Sequence, residues 1–146
     1  MLLRYTFWLA AAILFEFLTA IIHGASLFLS PESENETEQQ LHQLFTTYHR
    51  DLGAGFHPTL SNLFTALSAC FPLMCLLSGL TLGYLLIRHT EPALMKGVIG
   101  INMAIFGVVF LLMAYFTFLA PIIFTGLIFF NLLLAYIVVP DIESAI

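Results

Sequence analysis

Four long runs of apolar residues, separated by short polar segments, make up most of the chain. They cover about residues 5–29, 59–87, 94–116 and 118–139. A helix needs roughly 20 apolar residues to cross a hydrocarbon core about 30 Å thick, so each run is long enough to span a membrane. The pattern predicts an all-α integral membrane protein, folded as a single domain in the form of an antiparallel four-helix bundle.

The third and fourth runs are separated by a turn rather than by charge. No charged residue occurs anywhere in residues 98–139. One helix of that length would be about 60 Å long, twice the hydrocarbon thickness, so the chain must fold back. We predict the turn at residues 117–121, because the residue before a proline avoids the helical region and the aromatic residues there suit a membrane interface.

The segment between the first two runs is polar and begins at Ser30-Pro31, where an acidic stretch over residues 32–38 follows. The apolar residues that come next keep a helical spacing: Leu41, Leu44, Phe45, Tyr48 and Leu52. This spacing predicts an amphipathic helix over about residues 38–52, on the membrane surface or over the end of the bundle. We expect Leu41, Phe45 and Tyr48 to face membrane or bundle, with Gln40 and His49 exposed.

The few cations predict an orientation. Four crossings place Arg4, Arg88 and Lys96 on the side of both termini, and Arg50 on the opposite side. The positive-inside rule therefore puts both termini in the cytoplasm and the amphipathic helix on the non-cytoplasmic side. In length and hydropathy the chain resembles small bacterial four-span proteins, which implies a multi-pass protein of the bacterial plasma (inner) membrane. No motif extends that resemblance to a function.

The composition of the chain limits the kinds of molecule that it is expected to contact. Hydrophobic residues make up 60% of the 146 and charged residues 9%, which is typical of a chain surrounded by membrane lipid. A net charge of −5 with four Lys plus Arg argues against nucleic acid as a partner. Cys70 and Cys75 fall five residues apart in one predicted helix, about 8 Å between Cα atoms, beyond disulfide reach. We interpret them as packing residues.

Glu16 is the most informative polar residue inside a predicted span. One face of that span carries Ala12, Glu16, Thr19, His23 and Ser26. A carboxyl near the bilayer centre is costly by several kcal/mol unless it is neutral, hydrated or paired, and such groups are functional candidates. No Lys or Arg lies in the membrane interior to pair with it, since Lys96 falls at the cytoplasmic end of the third run. We expect a neutral Glu16 that is hydrogen-bonded to Asn102 or Asn131, or exposed to a wet cavity.

The candidate ligand-binding or proton-titrating residues are polar side chains within the spans or at their mouths. They are Glu16, Thr19, His23, His57, Asn62, Asn102 and Asn131. For hydroxyl and amide groups the alternative is simple hydrogen bonding between packed helices, and for Glu16 it is a buried, protonated structural group. Gly79 and Gly83 form a Gly-x-x-x-Gly pair that favours close helix packing.

Four histidines of the sequence are candidate ligands for a haem or a metal ion. His23 and His57 lie at the same end of adjacent spans, where they could hold a haem axially, or bind a transition metal together with His42 and His49. The sequence has no His-x-x-x-His pair and no Cys-His cluster, so we assign no metal ligand and leave the cofactor open.

Three functions follow from these features. The first is a non-enzymatic bundle that binds an apolar ligand or a partner membrane helix through a polar interior around Glu16, Thr19 and His23, open to the outer side. The second is a membrane enzyme acting on a lipid or sterol-like substrate, with proton transfer by Glu16 and His23. The third is a proton-coupled carrier or accessory subunit that titrates Glu16. A four-span carrier would require a homo-oligomer.

Overall fold

The computed structural model describes residues 4–29 and 33–140 and is all-helical. Its helices are α1 (Tyr5–Ser26), α2 (Glu36–Thr47), α3 (Leu60–Ile87), α4 (Pro92–Phe116) and α5 (Leu119–Val138). Four of them, α1, α3, α4 and α5, are long and apolar enough to cross a membrane. The predicted fold class, a helical membrane bundle with an additional short helix, is confirmed.

The helix bounds differ from the predicted spans by a few residues. α1 ends at Ser26, three residues before the predicted end, and α4 begins at Pro92, two residues before the predicted start. Proline suits the first turn of a helix because its missing N–H would have no helical partner there. The predicted start of the first loop at Ser30-Pro31, with Glu32, lies outside the described residues.

α1 is the central helix of the bundle. It packs along its length against both α3 and α5, and α4 packs against α5. α3 and α4 touch only weakly, so the order around the bundle is α3, α1, α5, α4, with an open side between the first and the last. The four long helices therefore do not close into a ring.

Glycines allow α4 and α5 to approach each other. Gly107 of α4 faces the ring of Phe129, where an added Cβ would lie 3.0 Å from a ring carbon. Gly126 of α5 faces Phe110 in the same way, at 3.1 Å. The two phenylalanine rings stack nearly parallel, with centroids 6.1 Å apart. Each ring thus fills the space left by a glycine on the opposite helix.

The prediction for α2 was wrong at its carboxyl end. The helix stops at Thr47, and residues 48–52 are extended instead of helical. Residues 53–55 all have positive φ, a conformation in which glycine carries no penalty, and they turn the chain back on itself. The N–H of Arg50 then donates to the carbonyl of Pro58 at 3.0 Å, and His49 forms a β-bridge with Thr59. These hydrogen bonds replace those of a last helical turn.

The start of α2 is set by a cap. The Asn35 side chain accepts a hydrogen bond from the Glu38 N–H at 2.9 Å, so the helix begins two residues before the predicted start. Phe45 is half-buried, with its ring against Phe64 of α3 at 5.7 Å between centroids. Leu41 is 64% exposed on the protein surface, and its contact with membrane stays a prediction.

The four-span arrangement predicts which connections lie on opposite sides of the membrane. In a variant free of Cys70 and Cys75, single cysteines introduced at Ser33 and at Glu91 should react with a membrane-impermeant thiol reagent from opposite sides of sealed vesicles. The physical reason is that α3 crosses the membrane once, so the connection before it and the connection after it lie on opposite sides. Reaction of both positions from the same side would refute the four-span arrangement.

Candidate functional site

Glu16 joins three helices in the middle of the bundle. Its side chain is fully buried on α1 and faces α3, where the Ser78 Oγ lies 2.7 Å from Glu16 Oε1. The same Oγ lies 2.9 Å from the Oδ1 of Asn102 on α4. We call Glu16, Ser78 and Asn102 the polar triad. It links α1, α3 and α4 through one serine hydroxyl.

A glycine on α3 makes room for the carboxyl. A Cβ added at Gly79 would lie 3.1 Å from Glu16 Oε2, tighter than an ordinary contact. A Cβ added at Gly83 would meet nothing within 4 Å. The Gly-x-x-x-Gly pair recognised in the sequence therefore includes one close-packed glycine and one without such a contact. Glu16 Oε2 itself is buried and has no hydrogen-bond partner among residues 4–29 and 33–140.

The two short contacts of the Ser78 hydroxyl limit where protons can lie in the triad. The Nδ2 of Asn102 donates to the carbonyl of Val98 at 2.9 Å, which turns the acceptor Oδ1 toward Ser78. A serine hydroxyl has one proton and cannot donate to two acceptors. Asn102 Oδ1 carries no proton, so both short contacts are hydrogen bonds only if Glu16 is protonated. Glu16 then donates to Ser78, and Ser78 donates to Asn102.

Two adjoining cavities lie at the end of the bundle that carries α2, and together we call them the α2-end cavity. The larger is about 680 Å³ and the smaller about 220 Å³. Residues that line both parts are His23, Ser26, Phe71, Phe118 and Pro121. The walls of the larger part also include Phe64, Leu67 and Ser68 of α3 and Met113 and Phe116 of α4. Aromatic and aliphatic side chains therefore form most of the lining.

His23 is a polar side chain in the wall of this cavity. Its imidazole is half-buried, with its ring edge-on to Phe71 at 5.4 Å between centroids. The Nε2 atom is buried and has no hydrogen-bond partner in the part of the chain that is described. Leaving such a group unpaired costs about 1–3 kcal/mol. The hydroxyls of Thr19 and Ser26, which also line the cavity, bond to carbonyls of their own helix at 2.7 Å each.

The structure does not bring Glu16 and His23 into one cavity wall. The α2-end cavity includes His23 and Thr19 but not Glu16, which packs between helices. Seven helical residues separate the two side chains along α1, about 10 Å. The face predicted from sequence thus contains two distinct environments, the polar triad near the bundle centre and an apolar cavity at one end.

The remaining histidines lie in the loop. His57 is exposed, with its Nδ1 3.8 Å from Asp51 Oδ1, and its carbonyl lies 2.6 Å from the His49 Nδ1. Across residues 4–29 and 33–140, no hydrogen bond or ring contact joins His57 to His23. No group of three His, Cys, Asp or Glu side chains suited to a metal ion occurs in those ranges.

The two remaining asparagines do not belong to the triad. Asn131 of α5 is buried, and its Nδ2 donates to the Leu127 carbonyl of its own helix at 2.7 Å. Asn62 is exposed in the first turn of α3, where its backbone N–H donates to the Thr59 side chain at 3.2 Å. Of the two amides considered as partners for Glu16, the structure connects Asn102, through Ser78, and not Asn131.

Ser78 is the site residue that the sequence analysis missed. It lies beside Gly79 and one helical turn after Cys75, and both of these residues are buried in α3. That neighbourhood is a signal that could have identified it.

Comparisons of the chain with protein-family models, with curated proteins and with solved structures gave no match.

Proposed function

We propose that this membrane protein binds an apolar ligand, one lipid-like chain with a hydrogen-bonding head, in the α2-end cavity. The observation that supports this most strongly is the larger cavity of about 680 Å³, lined by His23, whose buried Nε2 has no hydrogen-bond partner among the described residues. Ligand pockets are usually 300–1,000 Å³, mostly apolar, with a few polar groups that fix orientation. A small movement of the His23 ring would let a ligand hydroxyl pair with Nε2.

The open side of the bundle supplies a route into the cavity. Phe64 and Leu67 of α3 and Met113 of α4 line the larger part, and these two helices touch weakly along their length. In a bilayer the space between them faces lipid, so a lipid-like molecule would enter sideways without crossing water. A hydrophobic ligand thereby avoids the cost of transfer through the aqueous phase.

The charge distribution supports an orientation for this binding function. Arg4, Arg88 and Lys96 lie at the end of the bundle opposite the α2-end cavity. By the positive-inside rule we place both termini in the cytoplasm, so that the cavity lies in the outer leaflet of a bacterial plasma membrane. The orientation is tested by the labelling experiment described above, read with the reagent added to intact cells.

The binding function is tested by native mass spectrometry of protein extracted in mild detergent. Wild-type protein should carry a bound lipid-like molecule of defined mass. Ser68→Trp should lower its occupancy about tenfold or more, since a bulky indole on the half-buried Ser68 would fill the larger cavity. Leu77→Trp, on the same helix at a position 69% exposed, should leave occupancy unchanged.

Four outcomes would contradict the proposal. One is wild-type protein that carries no lipid-like molecule after gentle extraction. Another is Ser68→Trp protein that retains the wild-type occupancy. The third is equal loss in the Ser68→Trp and Leu77→Trp variants, which would indicate non-specific annular lipid. A partner protein that copurifies with wild type and is lost with Ser68→Trp would favour a partner helix as the occupant and overturn the lipid assignment.

A further inference from the structure

The three side chains of the polar triad can form two hydrogen bonds only when Glu16 carries a proton. That proton defines the direction of the whole chain of bonds, from Glu16 through Ser78 to Asn102. We propose that the triad is a proton-binding site: with its proton bound it ties α4 to α1 and α3, and when the proton leaves it releases α4.

The bond rearrangement follows from counting donors. With the proton bound, the Glu16 hydroxyl donates to the Ser78 Oγ, and the Ser78 hydroxyl donates to Asn102 Oδ1. When the proton leaves for solvent, Glu16 becomes a carboxylate that can only accept. The Ser78 hydroxyl then turns to the carboxylate, because a bond to a charged acceptor is roughly twice as strong as a neutral one. Asn102 Oδ1 is left without a donor.

The hydrogen bond that is lost joins α3 and α4, which have only a weak contact with each other. Ser78 to Asn102 is a direct side-chain hydrogen bond between α3 and α4, two helices with few other contacts. α4 keeps its packing on α5, through glycines and phenylalanines, when that bond is absent. Release of the proton therefore favours a wider separation of α3 and α4 without unfolding either helix.

Few cationic or titratable side chains lie on α1, α3, α4 and α5, the helices around the triad. α3 contributes Cys75, fully buried one turn from Ser78. α4 contributes Lys96, whose ammonium lies over the Tyr136 ring of α5 at 5.4 Å from its centroid. The other titratable side chains on these four helices are Tyr5, His23, Cys70, Tyr84 and Tyr115. A newly formed carboxylate would be stabilised mainly by the Ser78 hydroxyl and by water admitted through the gap.

The proton-binding site would regulate entry into the α2-end cavity. α3 and α4 both line its larger part, for example at Phe71 and Met113, so a change in their separation would change the width of the lateral opening. This step rests on the proposed binding function. The opening itself does not, because it depends on the triad and the weak α3–α4 contact alone.

The experiment measures the separation of α3 and α4 by pulsed electron paramagnetic resonance. Spin labels are attached at Leu73→Cys and Leu111→Cys, in a Cys70→Ser, Cys75→Ala background reconstituted without added ligand. Both positions are more than 60% exposed and lie toward the α2 end from the triad. Raising the pH from about 5 to about 10, a range over which buried carboxyls lose their proton, should increase the label distance by about 2 Å.

Two variants make the result specific to the triad. Glu16→Gln keeps a donor to Ser78 at every pH, so its label distance should stay short throughout. Ser78→Ala removes the donor to Asn102, so its distance should be long throughout. The inference would be overturned if the label distance did not change with pH in the triad-intact protein. It would also be overturned if the distance changed equally in Glu16→Gln. Either failure leaves the ligand measurement, made on unlabelled protein, as a separate test of the binding function.

Discussion

Ser78→Ala should lower the free energy of unfolding by about 2 kcal/mol, although it removes a single oxygen atom. The Ser78 Oγ lies within hydrogen-bond distance of Glu16 Oε1 and of Asn102 Oδ1, so its loss leaves the buried Glu16 and the half-buried Asn102 without that partner. Hydrogen bonds between membrane helices contribute about 0.6 kcal/mol on average, and an orphaned buried group costs more, about 1–3 kcal/mol. The measurement is a reversible unfolding titration in mixed micelles.

Ser68→Ala is the matched control for this prediction. It removes the same atom from the same helix at a half-buried position that lines the α2-end cavity, outside the triad. Its free energy of unfolding should stay within about 0.5 kcal/mol of wild type. Equal stability of the two variants would mean that the triad contributes nothing beyond an ordinary interfacial serine.

Gly79→Leu should be more damaging, with a loss of about 3 kcal/mol or failure to fold. The new side chain would start at a Cβ 3.1 Å from Glu16 Oε2 and 3.5 Å from the Phe17 ring, both on α1. Overpacking of a well-packed interface costs about 1–3 kcal/mol and sometimes more. Here it would also force apart the helices that hold the triad, so the two losses would add.

Gly83→Leu provides the comparison, because a Cβ there meets nothing within 4 Å. The two glycines share a helix and a face, and leucine is a better helix former than glycine at either position. Gly83→Leu should therefore be as stable as wild type or slightly more stable in the same titration. A similar loss of stability in both variants would show that the close α1–α3 approach at Gly79 is not what limits the fold.

The fold could be predicted largely from hydropathy. In a bilayer the backbone must satisfy its own hydrogen bonds, so four apolar runs of sufficient length leave little choice but four helices. The end of α2 could not be predicted that way. Its helical spacing continues to Leu52, but hydrogen bonds between residues 49–52 and 56–59, together with positive φ at Gly53 and Gly55, terminate the helix first.

The candidate site was only partly predictable. Glu16 and His23 were chosen because ionisable groups are expensive in a membrane, and that argument depends on chemistry and depth alone. Which groups meet them depends on how helices pack. Ser78 resembles several other hydroxyls of α3 in the sequence, and its role comes from Gly79 admitting α1 to that one level. The cavity depends on the weak contact of α3 with α4, which no periodicity shows.

The central claim, that a lipid-like ligand occupies the α2-end cavity, is tested most directly by photolabelling in a bilayer. A lipid probe with a photoreactive group in its chain is titrated into membranes that contain the protein, and labelled residues are mapped by mass spectrometry. Phe71 and Met113 line the cavity, whereas Leu77 and Leu111 are exposed on the outer surfaces of the same two helices.

We predict that labelling at Phe71 and Met113 saturates with probe and is competed by the molecule that copurifies with the protein. Labelling at Leu77 and Leu111 should rise in proportion to the probe without saturating, as for lipid that merely surrounds the bundle. If all four positions are labelled in proportion to the probe, or if the two cavity positions remain unlabelled, the α2-end cavity is not a ligand site and the account is contradicted.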